Sequence, residues 1–386
     1  MTERKCCGID VFSGAAIEVA FRDAIQSAAP AAAGGDVYLA PAFIDLQVNG
    51  YAGVDYNHPD TSLEDIARSL RAQMATGVAR LYPTVITGSP GGIAGCLRNL
   101  AVARESIPEG ACMDGFHVEG PHISPEDGPR GAHPVQWVRP PDIEEFRRWQ
   151  DAARGHIRIV TLSPEWPEAP RYIEHITREG VVASIGHTRA TAAQIGDAVS
   201  AGATLSTHLG NGAHQLLRRH PNYIWDQLAD DRLMADFIVD GIHLGQAFVK
   251  SAIRAKGVER SVLVTDAATP SGATPGRYAI ADQAVDLTED GRVVLAGTDR
   301  LAGSALNMRR GVENLMRLAG LSLADAVRLA TTNAARAGKV PGRERGLAAG
   351  DRADIVQFRL TPAKEIEIEA VWVGGVDSAA LGVGAS

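Results

Sequence analysis

Cysteine, lysine and long apolar runs are all scarce in this chain of 386 residues. Its four cysteines are too few and too irregularly spaced for a disulfide framework, which favours a reducing compartment. No apolar stretch approaches the roughly 18 residues of a membrane-spanning helix. The first residues also lack the apolar core of a signal peptide. The sequence therefore predicts a cytoplasmic protein with no membrane partner.

Positive charge is also in deficit. The chain has 38 basic and 46 acidic residues, for a net charge of −8. This balance argues against nucleic acid or an anionic membrane surface as a partner. What the chain has in quantity is apolar residues, at 45% of the total, which is enough to bury a large core. Its length allows two domains, or one barrel with an accessory module.

Short apolar runs alternate with stretches of helical period through most of the chain. Helices are predicted over residues 61–76, 142–153 and 190–200, among others. Alternating strands and helices imply a parallel sheet, and eight units imply an α/β fold of the (β/α)8 TIM barrel type. An open doubly wound sheet is the alternative, but no glycine-rich phosphate loop opens the first helix. The eight predicted strands are residues 43–48, 79–86, 112–119, 156–162, 181–187, 203–208, 235–242 and 261–266.

Both ends of the chain have a different pattern. Residues 9–40 contain short alternating runs, and residues 353–358 and 366–373 alternate with the period of a strand. We expect these strands to pair with one another. The predicted division is a small β-sandwich domain from residues 1–42 plus 345–386, and a catalytic barrel from residues 43–344.

Three predicted strands end in side chains that bind metals. Two runs end in an imidazole, at His187 and His208, and a third ends in the carboxylate of Glu119. Two histidines and a carboxylate form a catalytic zinc set whose fourth position stays open for water. A hydrogen-bonded core residue is the alternative for any single histidine. Three such side chains at equivalent strand tips favour the metal site.

Polar residues end the other strands on the same face, where barrel enzymes build their active sites. Asp266 ends the eighth strand and is predicted to take a proton from water and return it to a leaving amine. A helix cap or a structural ion pair is its alternative. His243 is predicted to orient a substrate oxygen or serve as a fourth ligand, and His133 to contact substrate. The alternative interpretation of His243 is a structural histidine in the core. The alternative for His133 is an exposed surface histidine.

Seven motifs, in order along the chain, resemble the amidohydrolase superfamily and, within it, the N-acetylglucosamine-6-phosphate deacetylases. The resemblance covers about residues 40 to 360. The Glu-Gly-Pro sequence after the third strand and the later Leu-Ala-Gly-Ser-Ala sequence are the most specific of these motifs. The motifs are residues 41–50, 115–121, 185–188, 207–209, 240–243, 263–266 and 301–306.

The resemblance implies a barrel with a small β-sandwich, a homodimer, and the metal ligands and general base named above. It also implies that His243 and His133 contact the substrate, together with the backbone of Asn211 and Gly212. An amino sugar is the implied small-molecule substrate.

The number of metal ions follows from the same resemblance. Binuclear members of the superfamily have His-x-His on the first strand and often a carbamylated lysine after the fourth. Here Gln47 and Asn49 replace the two histidines, and no lysine lies between Lys5 and Lys250. This implies one divalent metal ion, with zinc as the expected metal and iron as the alternative. A glutamate that bridges two metal ions is still compatible with the sequence. Gln47, Asn49 and His117 are then remnants of a second site or supports for the ligands.

The segment after His208 departs from the family pattern. Relatives carry an arginine about eleven residues later that reaches the sugar phosphate, often in the neighbouring subunit. Arg218 and Arg219 lie at about that distance, and either is predicted to bind phosphate. A solvated loop or a dimer edge is the alternative for both. The rest of residues 210–225 differs from the family.

We therefore expect metal-dependent hydrolysis of N-acetylglucosamine 6-phosphate to glucosamine 6-phosphate and acetate. A deacetylase of an unphosphorylated or different N-acetylated amino sugar is the first alternative. A cyclic amidase is disfavoured by the missing histidine pair and lysine. An inactive barrel that only binds a partner is disfavoured by the four intact residues Glu119, His187, His208 and Asp266.

Overall fold

The computed structural model describes residues 2–32, 35–342 and 345–381. Eight parallel strands follow one another around a barrel, each hydrogen-bonded to the next. The barrel closes where the backbone N–H of Asn49 donates to the carbonyl of Ala267 at 2.7 Å. The predicted (β/α)8 fold is therefore confirmed. Barrel strands one to eight are Phe43–Val48, Val78–Ile86, Phe116–Glu119, Ile157–Leu162, Val182–Ile185, Leu205–Ser206, Met234–Ile238 and Ser261–Val264.

Helices cover the outside of the barrel because each has one apolar face. The helix Ala192–Ser200, for example, buries Ile195, Ala198 and Val199 and begins with a capping box between Thr191 and Gln194. None of the helices in the described ranges is long and apolar enough to cross a membrane. The α-helices are Leu63–Met74, Pro90–Ser106, Ile143–Ala152, Ala169–Arg178, Ala192–Ser200, Tyr223–Ala229, Gln246–Lys256, Met308–Asn314, Leu323–Ala330 and Thr332–Ala337.

The two ends of the chain form a separate seven-stranded sheet. Val37–Pro41 pairs with Arg4–Asp10 on one side and with Ile355–Leu360 on the other, which joins the N-terminal strands to the C-terminal strands. The predicted domain boundaries at 42/43 and 344/345 stay a prediction, and the second adjoins residues 343–344, outside the described ranges. The strands in spatial order are Val376–Asp377, Ile366–Val373, Ile355–Leu360, Val37–Pro41, Arg4–Asp10, Ala16–Phe21 and Ile25–Pro30.

A three-stranded antiparallel sheet, absent from the sequence prediction, follows the eighth barrel strand. Its strands are Gly276–Ile280, Gln283–Leu287 and Val293–Leu295. We call residues 276–295 the insertion. Asp55, in a short hairpin after the first barrel strand, accepts a hydrogen bond from the backbone N–H of Ala281 at 2.6 Å. This bond ties the insertion to the barrel mouth.

Candidate active site

The polar residues predicted at the strand ends meet in one open cavity of about 830 Å³ at the carboxyl end of the barrel. Parallel strands carry their carboxyl ends to the same face, so residues far apart in sequence become neighbours there. Gln47, His117, Arg218 and Arg219 do not line the cavity. The predicted residues that do are Asn49, Glu119, His133, His187, His208, Asn211, Gly212, His243 and Asp266.

Glu119 lies at the centre of the candidate metal site. Its Oε1 is 2.8 Å from Nε2 of His208 and 3.1 Å from Nε2 of His187, and all three side chains are buried. Burial opposes ionisation of Glu119, but the hydrogen bonds with the two imidazoles outweigh it and hold the pKa of the carboxyl well below its usual range. Conversely, the bond to Glu119 overcomes burial and raises the pKa of His208 to about 9.

Two of these histidines, and Asp266, have left-handed backbone conformations. Their φ angles are 49° at His187, 31° at His208 and 49° at Asp266, a region that non-glycine residues seldom adopt. The predicted strands ran on to these residues. In the structure each of the three strands ends two residues earlier, because positive φ breaks the extended chain. Strain of this kind clusters at functional sites.

The hydrogen bonding of His187 turns its Nε2 toward Glu119, where a metal ion would bind. Nδ1 lies 2.8 Å from the carbonyl oxygen of Pro129, which can only accept, so Nδ1 carries the hydrogen. Nε2 lies 3.1 Å from Oε1 of Glu119, and once Nε2 has given up the hydrogen that it shares with this oxygen, its lone pair repels the carboxylate. A divalent cation between the two would relieve that repulsion, and second bonds of this type orient metal-binding histidines. The donor set therefore fits a metal ion.

His133 lies closer to this cluster than the sequence predicted. Its ring is 4.4 Å from the ring of His187, and its Nδ1 is 2.8 Å from Oγ1 of Thr87. Glu119, His133 and His187 each offer a ligand atom, and the three atoms lie within 4.8 Å of one another. His208 contacts the same oxygen of Glu119. The structure thus brings together three imidazoles and one carboxylate, a set that suits zinc or iron.

Asp266 is held by the two amides that replace the histidine pair. Nδ2 of Asn49 donates to Oδ1 at 2.7 Å, and Nε2 of Gln47 donates to the same oxygen at 3.1 Å. Burial, with help from the charge of Glu119, raises the pKa of Asp266 to about 6, while the bond from Asn49 acts in the opposite direction. A carboxyl that titrates near neutrality is suited to exchange protons with substrate.

His117 has its own partners inside the barrel. Its Nδ1 lies 3.0 Å from the carbonyl of Leu46, and its Nε2 lies 2.7 Å from Oγ1 of Thr161. Burial lowers its pKa to about 4, so the ring is neutral. This arrangement fits a core position beneath the cavity.

Several residues that support the site were not singled out from the sequence. Oδ2 of Asp240 lies 2.6 Å from Nδ1 of His243, and Asp236 accepts a hydrogen bond from the backbone N–H of His208. Thr87 and Pro129 orient His133 and His187 as described above. Only Asp240 had a local signal, since it lies three residues before His243 in a motif already noted.

The loop after His208 brings backbone to the cavity. Gly212 has a φ of 54°, and a Cβ there would lie 2.7 Å from Nδ1 of His187, so a larger residue would collide with the ring. Asn211 and Gly212 both line the cavity. Arg218 and Arg219 are exposed, and no arginine or lysine of the described residues lines this cavity.

The part of this loop that departs from the family pattern is hydrogen-bonded to the loop after strand three. His214 lies 2.8 Å from Oε1 of Glu126 through Nε2, and 2.9 Å from the hydroxyl of Tyr223 through Nδ1. The loop that carries Glu126 also carries Pro129 and His133. His214 therefore connects the proposed sugar-binding backbone to the loop that orients His187.

Comparison with known proteins gives consistent matches over most of the chain. Residues 38–377 match the model of the Amidohydrolase family. An N-acetylglucosamine-6-phosphate deacetylase of Bacillus subtilis (strain 168) is 36% identical over 324 residues, which cover 83% of this chain and 80% of that protein. An N-acetylgalactosamine-6-phosphate deacetylase of Escherichia coli O157:H7 is 32% identical over 87% of this chain and 86% of its own length.

One of the solved structures matches over nearly the whole chain. A mutant N-acetyl-D-glucosamine-6-phosphate deacetylase of Mycobacterium smegmatis, in complex with N-acetyl-D-glucosamine-6-phosphate, is 30% identical with a TM-score of 0.87. The match covers 98% of this chain and 100% of that one. The likeness therefore includes both the barrel and the terminal sheet.

Proposed function

The chain belongs to the amidohydrolase family, and from this membership and the cavity described above we propose that it is a deacetylase of amino sugar phosphates. The substrate is N-acetylglucosamine 6-phosphate, and the products are glucosamine 6-phosphate and acetate. The observation that carries this proposal is the meeting of Glu119, His187, His208 and Asp266 at the carboxyl end of one barrel. The deacetylases that match along most of the chain support the same reaction.

One divalent metal is held by Glu119, His187 and His208, with His133 as a neighbouring ligand or substrate contact. Zinc is the proposed ion and iron the alternative, because both accept this donor set. A bound divalent metal supplies Lewis-acid chemistry, which activates water and polarises an amide carbonyl. The amide nitrogens of Gln47 and Asn49 donate to Asp266, which supports a single ion.

Asp266 is the proposed general base and then the general acid. Both amide donors bond Oδ1, so Oδ2 is the oxygen left to take a proton from the attacking water. The water oxygen adds to the acetyl carbon, the carbon–nitrogen bond breaks, and Asp266 passes the proton to the leaving amine. Acetate and the free amine are then released.

His243 contacts the carbonyl oxygen or a sugar hydroxyl in this proposal. Asp240 accepts the hydrogen on Nδ1, which leaves Nε2 of His243 to face the substrate. A ring with hydrogens on both nitrogens donates from Nε2 to an oxygen on which negative charge develops. Asn211 and Gly212 contact the sugar through their backbone.

The phosphate is proposed to be bound across a homodimer. No arginine or lysine of the described residues lines the cavity, while Arg218 and Arg219 are exposed on a loop that starts at the cavity. Arginines from a partner subunit would supply the missing charge. The proposed location is the cytoplasm, since all four cysteines are free, as expected where thiols stay reduced.

A substrate panel tests this function. Amine release is measured by the zinc-loaded protein with N-acetylglucosamine 6-phosphate, N-acetylgalactosamine 6-phosphate and free N-acetylglucosamine. We expect the highest kcat/KM with the first compound, and a selective loss on the phosphorylated sugars when Arg218 and Arg219 are both replaced by alanine. A preference for the unphosphorylated sugar would favour the second candidate, a deacetylase of free amino sugars. No release from any compound would contradict both.

A further inference from the structure

One side of the cavity is built from apolar side chains, which neither the metal nor a sugar phosphate requires. We call Ile86, Ala132, Ile280, Val285 and Leu295 the apolar wall, and all five line the cavity. They belong to one packed cluster, in which Ile280 and Val285 are buried and Ile86, Ala132 and Leu295 are partly buried. Three of the five come from the insertion. The wall is therefore a built surface with a fixed position.

The order of the barrel strands places Ile86, against which the insertion packs, opposite the proposed sugar contacts. Ile86 ends strand two, and the insertion follows strand eight. Asn211 and Gly212 follow strand six. In a closed barrel of eight strands, strand two faces strand six across the axis. The side of the cavity with Asn211 and Gly212, which we call the polar sector, thus lies across from Ile86 and from the insertion side chains packed against it, beside which Gln283 also lines the cavity.

An amide that is cleaved at the metal ligands has two substituents. The sugar leaves from the nitrogen and occupies the polar sector in the proposed function, so the acyl group extends to the other side. We propose that the acyl group lies against the apolar wall, and that the enzyme hydrolyses linear N-acyl groups longer than acetyl, such as propionyl and butyryl. This inference rests on the proposed function. The reaction is unchanged: water adds to the acyl carbon, the carbon–nitrogen bond breaks, the amine takes the proton, and a longer carboxylate leaves.

The first test compares acyl lengths on the same sugar phosphate. The kcat/KM of the zinc-loaded protein is measured by amine release with the N-acetyl, N-propionyl and N-butyryl derivatives of glucosamine 6-phosphate. Burial of one methylene group contributes up to about fourfold in binding, which offsets the loss of conformational freedom of the longer chain. We expect kcat/KM for the propionyl compound within tenfold of the acetyl compound. A loss greater than tenfold overturns the inference, whereas no hydrolysis of the acetyl compound overturns the proposed function itself.

A second test changes the wall. Leu295→Trp fills the cavity, and Leu295→Asn keeps the branched shape and the number of side-chain heavy atoms while removing apolar contact, so at least one variant should fold. We expect either variant to lower kcat/KM for the butyryl compound at least tenfold more than for the acetyl compound. Leu287→Met is the matched control, because Leu287 belongs to the same cluster but does not line the cavity. It should leave the ratio unchanged. Equal losses on both substrates in the Leu295 variants would place the sugar against the wall and refute the proposal.

Discussion

Removal of the Asn49 side chain should act on catalysis through Asp266. The bond from Nδ2 of Asn49 to Oδ1 of Asp266 is 2.7 Å long and buried. A hydrogen bond to a charged group contributes about 1.5–3 kcal/mol, and one pKa unit corresponds to about 1.4 kcal/mol. Loss of this donor disfavours the ionised carboxyl. Asn49→Ala should therefore raise the pKa of Asp266 by about one to two units.

The pH dependence of kcat measures this effect. The acid limb of the profile should move to higher pH by about one to two units, and kcat at pH 7 should fall about two- to tenfold as the ionised fraction of Asp266 falls, with the metal content unchanged. Gln47→Ala should produce a smaller shift, because its bond to the same oxygen is longer, at 3.1 Å. Asn99→Ala is the matched control, since Asn99 bonds the carbonyl of Thr61 on the outside of the barrel. An Asn49→Ala profile that coincides with wild type would refute the role given to Asn49.

Three further predictions concern metal, loop and pH. Chelation should abolish turnover and lower Tm, because a bound ion stabilises only the folded state, and added zinc should restore both. Turnover that persists without measurable metal would contradict the proposed metal site. His214→Ala should raise KM severalfold with metal content retained, because the hydrogen bond to Glu126 is lost. An unchanged KM would show that this hydrogen bond does not position the loop that carries Asn211 and Gly212. Burial raises the pKa of Asp55 from 3.8 to about 6, so its contribution favours the folded state below about pH 4 and is lost as pH rises through 6. In urea unfolding, the stability of wild type relative to Asp55→Asn should fall by up to about 3 kcal/mol between pH 4 and pH 7, and a constant difference would contradict the shift.

The barrel and its active face were predictable because the signals are local. An apolar run followed by a polar residue marks a buried strand and its end, and this signal located Glu119, His187, His208 and Asp266. The early strand ends at His187, His208 and Asp266 were not predictable in this way. Their left-handed backbone depends on contacts from other loops, such as the bond from the backbone N–H of Ser124 to the carbonyl of His187.

The support of the site was harder to predict because it is assembled from distant segments. Asn49 and Asp266 are 217 residues apart and meet only when the barrel closes. The sequence thus left Gln47 and Asn49 open as remnants of a metal site or as supports for the ligands, and in the structure they donate hydrogen bonds to the carboxylate of Asp266. The insertion was also missed, since its strands are short and the residues that they pack against, Ile86 and Ala132, lie far away in the sequence.

The central claim is that one buried carboxylate moves the proton in a metal-dependent deacetylation. It is tested most directly by the kcat of Asp266→Asn with N-acetylglucosamine 6-phosphate, measured on protein whose zinc content equals that of wild type. Loss of a general acid and base removes roughly 10²–10⁴-fold in rate, so kcat should fall by at least a hundredfold while zinc remains bound. A zinc-loaded Asp266→Asn variant with near-normal kcat would contradict the account.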